Sequence, residues 1–249
     1  MVLCSSAMQN NEYFESLFTL SKQVTPYLSG QVADIVLSDS NTDIHISHDN
    51  SEVIKALYDR LSESSKEAGN AYWLTRTWDL LCWQPIYLAF ISVYQLNAIP
   101  DFKNMSQSVQ SDFIAGFTFH NVDLTFGSSD EIIPLIGTQL SSLFTSYRES
   151  MSEWTRIRPG FTNHLIADGL LNCITKLQVH QPTLSNEYLL AQALLWLNAF
   201  GLPSKHLASL KVDLLTNHLK LVRTSCCLVY KCEGRKLCED CPRHPNNKR

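Results

Sequence analysis

Glycine and proline are both scarce, nine of each in 249 residues. So few turn formers argue against a loop-rich or many-stranded all-β protein. The glycines are dispersed, with no Gly-x-Gly-x-x-Gly and no Gly-Lys-Ser/Thr, which removes the familiar cradles for dinucleotide and nucleotide phosphates. A Gly-x-Ser-x-Gly elbow and a His-Glu-x-x-His helix are also missing, and with them the usual serine-hydrolase and zinc-protease signatures. No repeat appears at a period of 20 to 50 residues. The longest apolar run, Ile86–Leu96, is about half of what spans a bilayer. The start, Met-Val-Leu-Cys-Ser-Ser-Ala, has neither the basic residues nor the apolar stretch of a secretion signal. The expectation is a cytoplasmic protein with no transmembrane segment, at most peripheral at the inner membrane. In that reducing compartment, cysteines serve as thiols and metal ligands rather than disulfides.

Against those absences, 45% of the residues are hydrophobic and 18% charged, the balance of a globular chain with a substantial core. The net charge of −4 is unevenly spread. Residues 220–249 hold eight Lys/Arg (Lys220, Arg223, Lys231, Arg235, Lys236, Arg243, Lys248, Arg249) against Glu233, Glu239 and Asp240. That segment is +5, leaving −9 for residues 1–219. A solvated basic end and a site for an anionic centre or partner both fit this pattern.

Apolar periodicity predicts a helix over 11–29, with Tyr13, Phe14, Leu17 and Phe18 on one face and a stop at Pro26 and Gly30. Short extended pieces follow at Val32–Leu37 and Asp43–Ser47, with His45 and His48 read as polar loop. Asp49-x-x-Glu52 has the form of a capping box for a helix that ends before Gly69. A long helix over 71–97 carries Trp73, Trp78 and Trp83, read as core aromatics, and Pro85 should kink or restart it. Residues 113–119 and 122–126 alternate at period two and predict a hairpin turning at His120-Asn121. Further helices are expected over 132–147, 163–179, 187–200 and 204–222. The last shows Leu207, Leu210, Leu214 and Leu221 at helical spacing and runs straight into Cys226. The fold class is therefore α+β: mostly helical, with a small central antiparallel sheet and a cysteine-rich C-terminal segment. The organisation expected is a mainly helical body over 1–222 and a cysteine-rich segment over 223–249 packed on it.

Only Cys4, Cys82 and Cys173 precede residue 226, and they read as buried small apolar residues. Five cysteines then fall within sixteen residues: Cys226, Cys227, Cys232, Cys238 and Cys241. Thiolates select zinc, cuprous copper or iron–sulfur centres. Cys238-x-x-Cys241 is a common chelate whose two sulfurs can reach one metal. The doublet Cys226-Cys227 is less usual, because adjacent side chains diverge unless the chain turns. A zinc ribbon needs two Cys-x-x-Cys knuckles, and only one is present. A doublet plus one knuckle suits a two-metal centre. The spacing favours iron–sulfur while leaving zinc and unliganded thiols open.

Arg223-Thr-Ser-Cys226-Cys227-Leu-Val-Tyr230, followed after the ten-residue spacer by Cys238-Glu-Asp-Cys241-Pro242, resembles the C-terminal signature of the FhuF-type ferric-siderophore reductases. The resemblance implies a 2Fe–2S cluster held by Cys226, Cys227, Cys238 and Cys241, and one-electron reduction of chelated ferric iron with release of the ferrous ion. It implies a ferric siderophore as substrate, the hydroxamate type preferred, and no general acid or base. Without a nicotinamide or flavin motif, electrons are expected from an external ferredoxin or ferredoxin reductase. Arg223, Lys231, Arg235 and Lys236 are the candidate residues for substrate or partner electrostatics. Cys232 lies inside the spacer, outside the family pattern, and reads as a bystander, although Cys227, Cys232, Cys238 and Cys241, with His244, form a conceivable zinc set. The competing class is a non-enzymatic binding module with a structural zinc knuckle. Overall acidity and the lack of a helix-turn-helix argue against nucleic acid as its partner.

Overall fold

A computed structural model describes residues 2–33 and 43–247, with side chains of the first helix from residue 9 onward. Six helices, α1 (Val2–Val24), α2 (Ser51–Ser64), α3 (Asn70–Gln95), α4 (Ser129–Ser152), α5 (Pro159–His180) and α6 (Asn186–Ala199), make up most of the described chain. The chain forms two compact units, one from residues 1–57 and 80–156, the other from 58–79 and 157–249. Both α2 and α3 contribute to each.

The first unit is built on a four-stranded sheet in the order β1 (Gly30–Val32), β5 (Phe113–Phe119), β4 (Met105–Gln110), β2 (Asp43–Ile44). β4 and β5 are antiparallel, while β1 joins β5 in parallel. The sheet is therefore mixed within a mostly helical α+β fold. β1 lies close to its neighbour: a Cβ on Gly30 would clash with the ring edge of Phe117. Tyr13, Phe14 and Leu17 of α1 are buried, and Phe14 meets Phe119 of β5 at 5.5 Å. Residues 34–37 of the expected extended piece lie outside the described residues. His45, read from sequence as polar loop, is buried; its N–H donates to Asn50 Oδ1 (3.2 Å) and its ring nitrogen accepts from Ser47 N.

The expected hairpin is corrected. Residues 113–119 do form a strand, but they pair with β4 across a turn where Ser111 takes φ 51°. Leu124–Phe126 (β6) pairs instead with β3 (Ala98–Pro100). Alternation identifies a strand without naming its partner, and Met105, Ser106, Gln107 and Val109 of the unrecognised β4 are buried without an obvious apolar alternation.

Helix α3 runs unbroken through Pro85. Proline cannot donate to the carbonyl one turn earlier, that of Leu81. The Gln107 side chain of β4 donates to that oxygen at 2.9 Å and also to Tyr147 Oη at 2.8 Å. Gln84 Nε2 in turn donates to Gln107 Oε1 and to the Gly116 carbonyl, each at 3.1 Å. A buried polar network thus supplies the hydrogen bond that proline withholds, and the helix continues.

In the second unit, α5 buries Leu165, Ile166, Leu170, Leu171 and Ile174, and α6 buries Leu189, Trp196 and Leu197. Trp78 is wholly buried, in keeping with its reading as core, whereas Trp73 and Trp83 are only partly buried. The predicted helix over 204–222 is not formed. Ser204–Ser209 makes a short 3-10 turn, and β7 (Leu210–Val212) pairs antiparallel with β8 (Leu219–Leu221). Asp213 Oδ1 accepts the amides of Leu215 and Thr216, and Asn217 takes φ 56°, so this polar pair closes the hairpin. The helical spacing of leucines was accidental there: Leu214 is 96% exposed, while Leu219 and Leu221 flank outward-facing Lys220 at strand period.

Gln107→Ala should destabilise the protein by about 2 kcal/mol, because it leaves the Leu81 carbonyl buried without that donor and takes one of two acceptors from the Gln84 amide. Urea unfolding measures it, and Pro85→Ala in the same background should recover part of the loss by closing the helix bond.

Candidate metal centre

The segment after β8 is tied to α5 by one carboxylate. Thr224 N donates to Asp168 Oδ1 and Ser225 N to Asp168 Oδ2, each at 2.7 Å. Val222 N donates to Ser209 O at 2.8 Å and Arg223 N to Asp240 O at 2.9 Å. These bonds hold the four residues before the doublet, Val222 to Ser225. Directly after it, Leu228 takes the left-handed conformation, φ 62°, ψ 6°. The chain turns there, as two adjacent ligands require. The doublet thus sits between an extended lead and a tight turn, not at a helix end.

The four cysteines of the family-like pattern come together in two pairs. Cys226 Sγ lies 3.4 Å from Cys241 Sγ, and Cys227 Sγ lies 3.6 Å from Cys238 Sγ. All four are free thiols, and both separations far exceed the ~2.05 Å of a disulfide. Two thiolates bound tetrahedrally to one metal at about 2.3 Å would stand about 3.8 Å apart, so each pair matches a two-sulfur share of a metal. Among the described residues no three His, Cys, Asp or Glu side chains gather tightly enough to hold one ion. The two sulfur pairs would supply two thiolates to each of two metals. The donor set therefore fits a 2Fe–2S cluster: four thiols in a two-plus-two arrangement.

Charge at the site is organised by Arg223, whose side chain is 16% exposed. Its Nε and Nη2 face Asp240 Oδ2 and Oδ1 at 2.8 and 2.9 Å, and Nη2 also donates to Cys227 Sγ at 3.5 Å. Burial works against its charge, but Cys227 and Asp240 outweigh burial and hold the guanidinium firmly protonated. Burial pushes the Cys226 thiol up to about 11, against the opposing Leu228 amide, which donates to its sulfur at 3.4 Å. Burial also raises Cys238, while Arg223 opposes the rise. Thiols so raised stay protonated at neutral pH until a metal displaces the proton.

Two acids stand beneath this layer. Burial lifts the Asp168 carboxyl to about 6, opposed by the amides of Thr224 and Ser225 and by Arg223. Burial likewise lifts Asp79 to about 6, opposed by Arg76 and Arg223.

The remaining candidates are spread over the surface of the same segment. Lys231, Arg235 and Lys236 are exposed on the spacer loop, whose Glu233 N donates to Glu67 Oε1 at 3.0 Å. Cys232 engages the Tyr72 hydroxyl, which burial, then this contact, raises to about 12. His244 Nδ1 accepts from Asn246 N at 3.3 Å. Arg243 donates to Tyr230 Oη at 2.7 Å and lies over its ring. Cys82 and Cys173 are buried as expected; the side chain of Cys4, with Lys248 and Arg249, lies outside the described residues. Sequence reading missed Asp168, although a lone carboxylate in the apolar run Leu165-Ile-Ala-Asp168-Gly-Leu-Leu171 was a visible signal. It counted Asp240 only in the charge balance of the segment, where it is the partner of Arg223.

Asp168→Ala should leave two amides without acceptors. We expect a loss of about 2 kcal/mol in urea unfolding and fewer irons bound per chain, with Asp168→Asn intermediate in both. A second outcome concerns pH. The folded-state pKa of Asp79 lies above its unfolded value near 3.9, so its favourable contribution is complete below about pH 4 and is lost as pH rises through 6. In metal-free protein, Asp79→Asn should therefore gain on the wild type across that interval, by on the order of 2 kcal/mol, and hold the gain above pH 7.

Residues 223–243 match the family model described as FhuF 2Fe-2S C-terminal domain. No solved structure matches the chain. The matched stretch begins at Arg223 and spans both sulfur pairs, Asp240 and Tyr230. This short match, confined to the C-terminal segment, supports a likeness to the FhuF type.

Proposed function

We propose that the protein is a ferric-siderophore reductase of the cytoplasm, in which residues 223–249 form the cluster-binding segment and residues 1–222 the body. Cys226, Cys227, Cys238 and Cys241 would hold a 2Fe–2S cluster, which when bound supplies one electron at low potential, the number that converts chelated ferric iron to ferrous. The observation that carries this reading is the pair of sulfur contacts, 3.4 and 3.6 Å, inside the matched segment.

The chain's own residues set the conditions for that transfer. Asp168 fixes the approach to the doublet through two backbone amides. Arg223 donates to Cys227 and, with the Leu228 amide, offsets the negative charge that four thiolates bring. Lys231, Arg235 and Lys236 present exposed positive charge on the loop that joins Cys227 to Cys238, suited to guiding an anionic chelate or an acidic ferredoxin. The substrate is a ferric complex of hard oxygen donors, hydroxamates in particular. Those oxygens grip the ferric ion and hold the larger, less charged ferrous ion weakly, so one electron suffices to release the metal. Electrons come from an external ferredoxin or ferredoxin reductase. Among the described residues no helix is long and apolar enough to cross a membrane.

Anaerobically purified full-length protein should be red-brown, contain two irons per chain, and show an EPR signal after one-electron reduction. A ferric hydroxamate should abolish that signal and yield ferrous iron, and with a negatively charged ferric chelate the rate should fall with ionic strength. Arg235→Gln with Lys236→Gln should flatten that salt dependence. A colourless protein with one zinc would sink the proposal.

A further inference from the structure

We infer that the two irons are held unequally: Cys226 with Cys241 binds one, Cys227 with Cys238 binds the other, and Arg223 makes the Cys227–Cys238 iron the one that takes up the electron. This rests on the cluster reading above and goes beyond it, because the order of cysteines in the chain does not determine their pairing.

Two pairings follow naturally from sequence order, and the structure supports neither. In one, the adjacent doublet shares an iron and the Cys-x-x-Cys knuckle shares the second. In another, each cysteine pairs in order, Cys226 with Cys238 and Cys227 with Cys241. The sulfur contacts run the third way: the outer cysteines, Cys226 and Cys241, meet at 3.4 Å, and the inner ones, Cys227 and Cys238, at 3.6 Å. The backbone explains this nesting. Arg223 N donates to Asp240 O at 2.9 Å, so the stretch entering the doublet lies alongside the stretch inside the knuckle. The turn at Leu228 reverses the chain after the doublet, and Cys241 N donates back to Cys238 O at 3.1 Å to close the knuckle. Two turned segments laid side by side place outer against outer and inner against inner.

The two pairs differ in their surroundings. On the inner pair, the Arg223 guanidinium donates to Cys227 Sγ at 3.5 Å. Asp240 neutralises Arg223 overall, but the cation lies against the sulfur, so the ion pair turns its positive end towards Cys227. On the outer pair, the donor to sulfur is the neutral Leu228 amide at 3.4 Å, and Cys241 is 1% exposed. An added electron settles on the iron whose thiolates are better compensated by charge and hydrogen bonds. That is the inner pair. Asp79 and Asp168 are also within electrostatic reach of Arg223, and Asp168 is engaged by the Thr224 and Ser225 amides.

Proton NMR of the one-electron-reduced, full-length protein tests both halves without a variant. Antiferromagnetic coupling makes cysteine β-protons on the ferric iron lose shift on warming, while those on the ferrous iron gain it. Sequence-specific assignment through contacts with neighbouring residues should put Cys226 and Cys241 in the first class and Cys227 and Cys238 in the second. Finding Cys226 with Cys227, or with Cys238, in one class overturns the pairing. Finding the predicted pairs with their classes reversed overturns the role of Arg223. Arg223→Gln should blend the two temperature dependences and make the reduction potential more negative, with Arg223→Lys restoring the wild-type pattern; an unchanged pattern in Arg223→Gln also overturns that role. A chain that binds no two-iron centre brings down the functional reading itself, and this inference with it.

Discussion

A single carboxylate on α5 sets up the cysteine site. Asp168 accepts the amides of both residues that precede the doublet, and two adjacent cysteines can act together only when the backbone on each side is held. Asp168 holds one side and the left-handed turn at Leu228 the other. Arg223 then locks the knuckle strand to the doublet strand through Asp240 and reaches a sulfur with the same nitrogen. Removing any of these would loosen the sulfur pairs, because a site of four soft ligands has no apolar core of its own. Asp168 is buried and Arg223 and Asp240 are partly so, which raises both the cost of each charge alone and the strength of the set together.

The same logic of one group answering for another's deficiency appears in the first unit. Pro85 withholds a helix hydrogen bond, and Gln107 from a strand supplies it. There the result is structural: a long helix passes through a proline without breaking. Near the cysteines the result is chemical, since the donors that satisfy the backbone also fix where positive charge meets sulfur. Lys231, Arg235 and Lys236 stand apart from this. They are exposed and free to meet a partner in solution, where screening by salt governs their reach.

Some features were legible in the residues and some were not. Helices with long apolar stripes, such as 163–179, appear within a few residues of their expected ends, because burial of a stripe is a local pattern. The stretch 204–222 misled for a related reason: four leucines at helical spacing outweighed Asp213 and Asn217, whose turn geometry turned the segment into a hairpin. The strand over 113–119 was visible, yet its partner was not, since pairing joins distant residues and Gln107 on β4 carries no apolar signal. Cys232 stood out by type alone, and its contact with Tyr72 is a matter of packing.

By itself the sequence determined the chemistry on offer: four cysteines with a doublet, a ten-residue spacer and a two-residue knuckle, flanked by Arg223, Tyr230 and Pro242. Ligand type and spacing are covalent facts, and they limit the metals the segment can take. Only the tertiary structure decided which sulfurs meet, which carboxylate anchors them and which pair feels the arginine. Those depend on Asp168, 58 residues before the first cysteine of the doublet, and on two turned segments lying side by side. Such contacts are made by folding, and no reading of neighbours along the chain contains them.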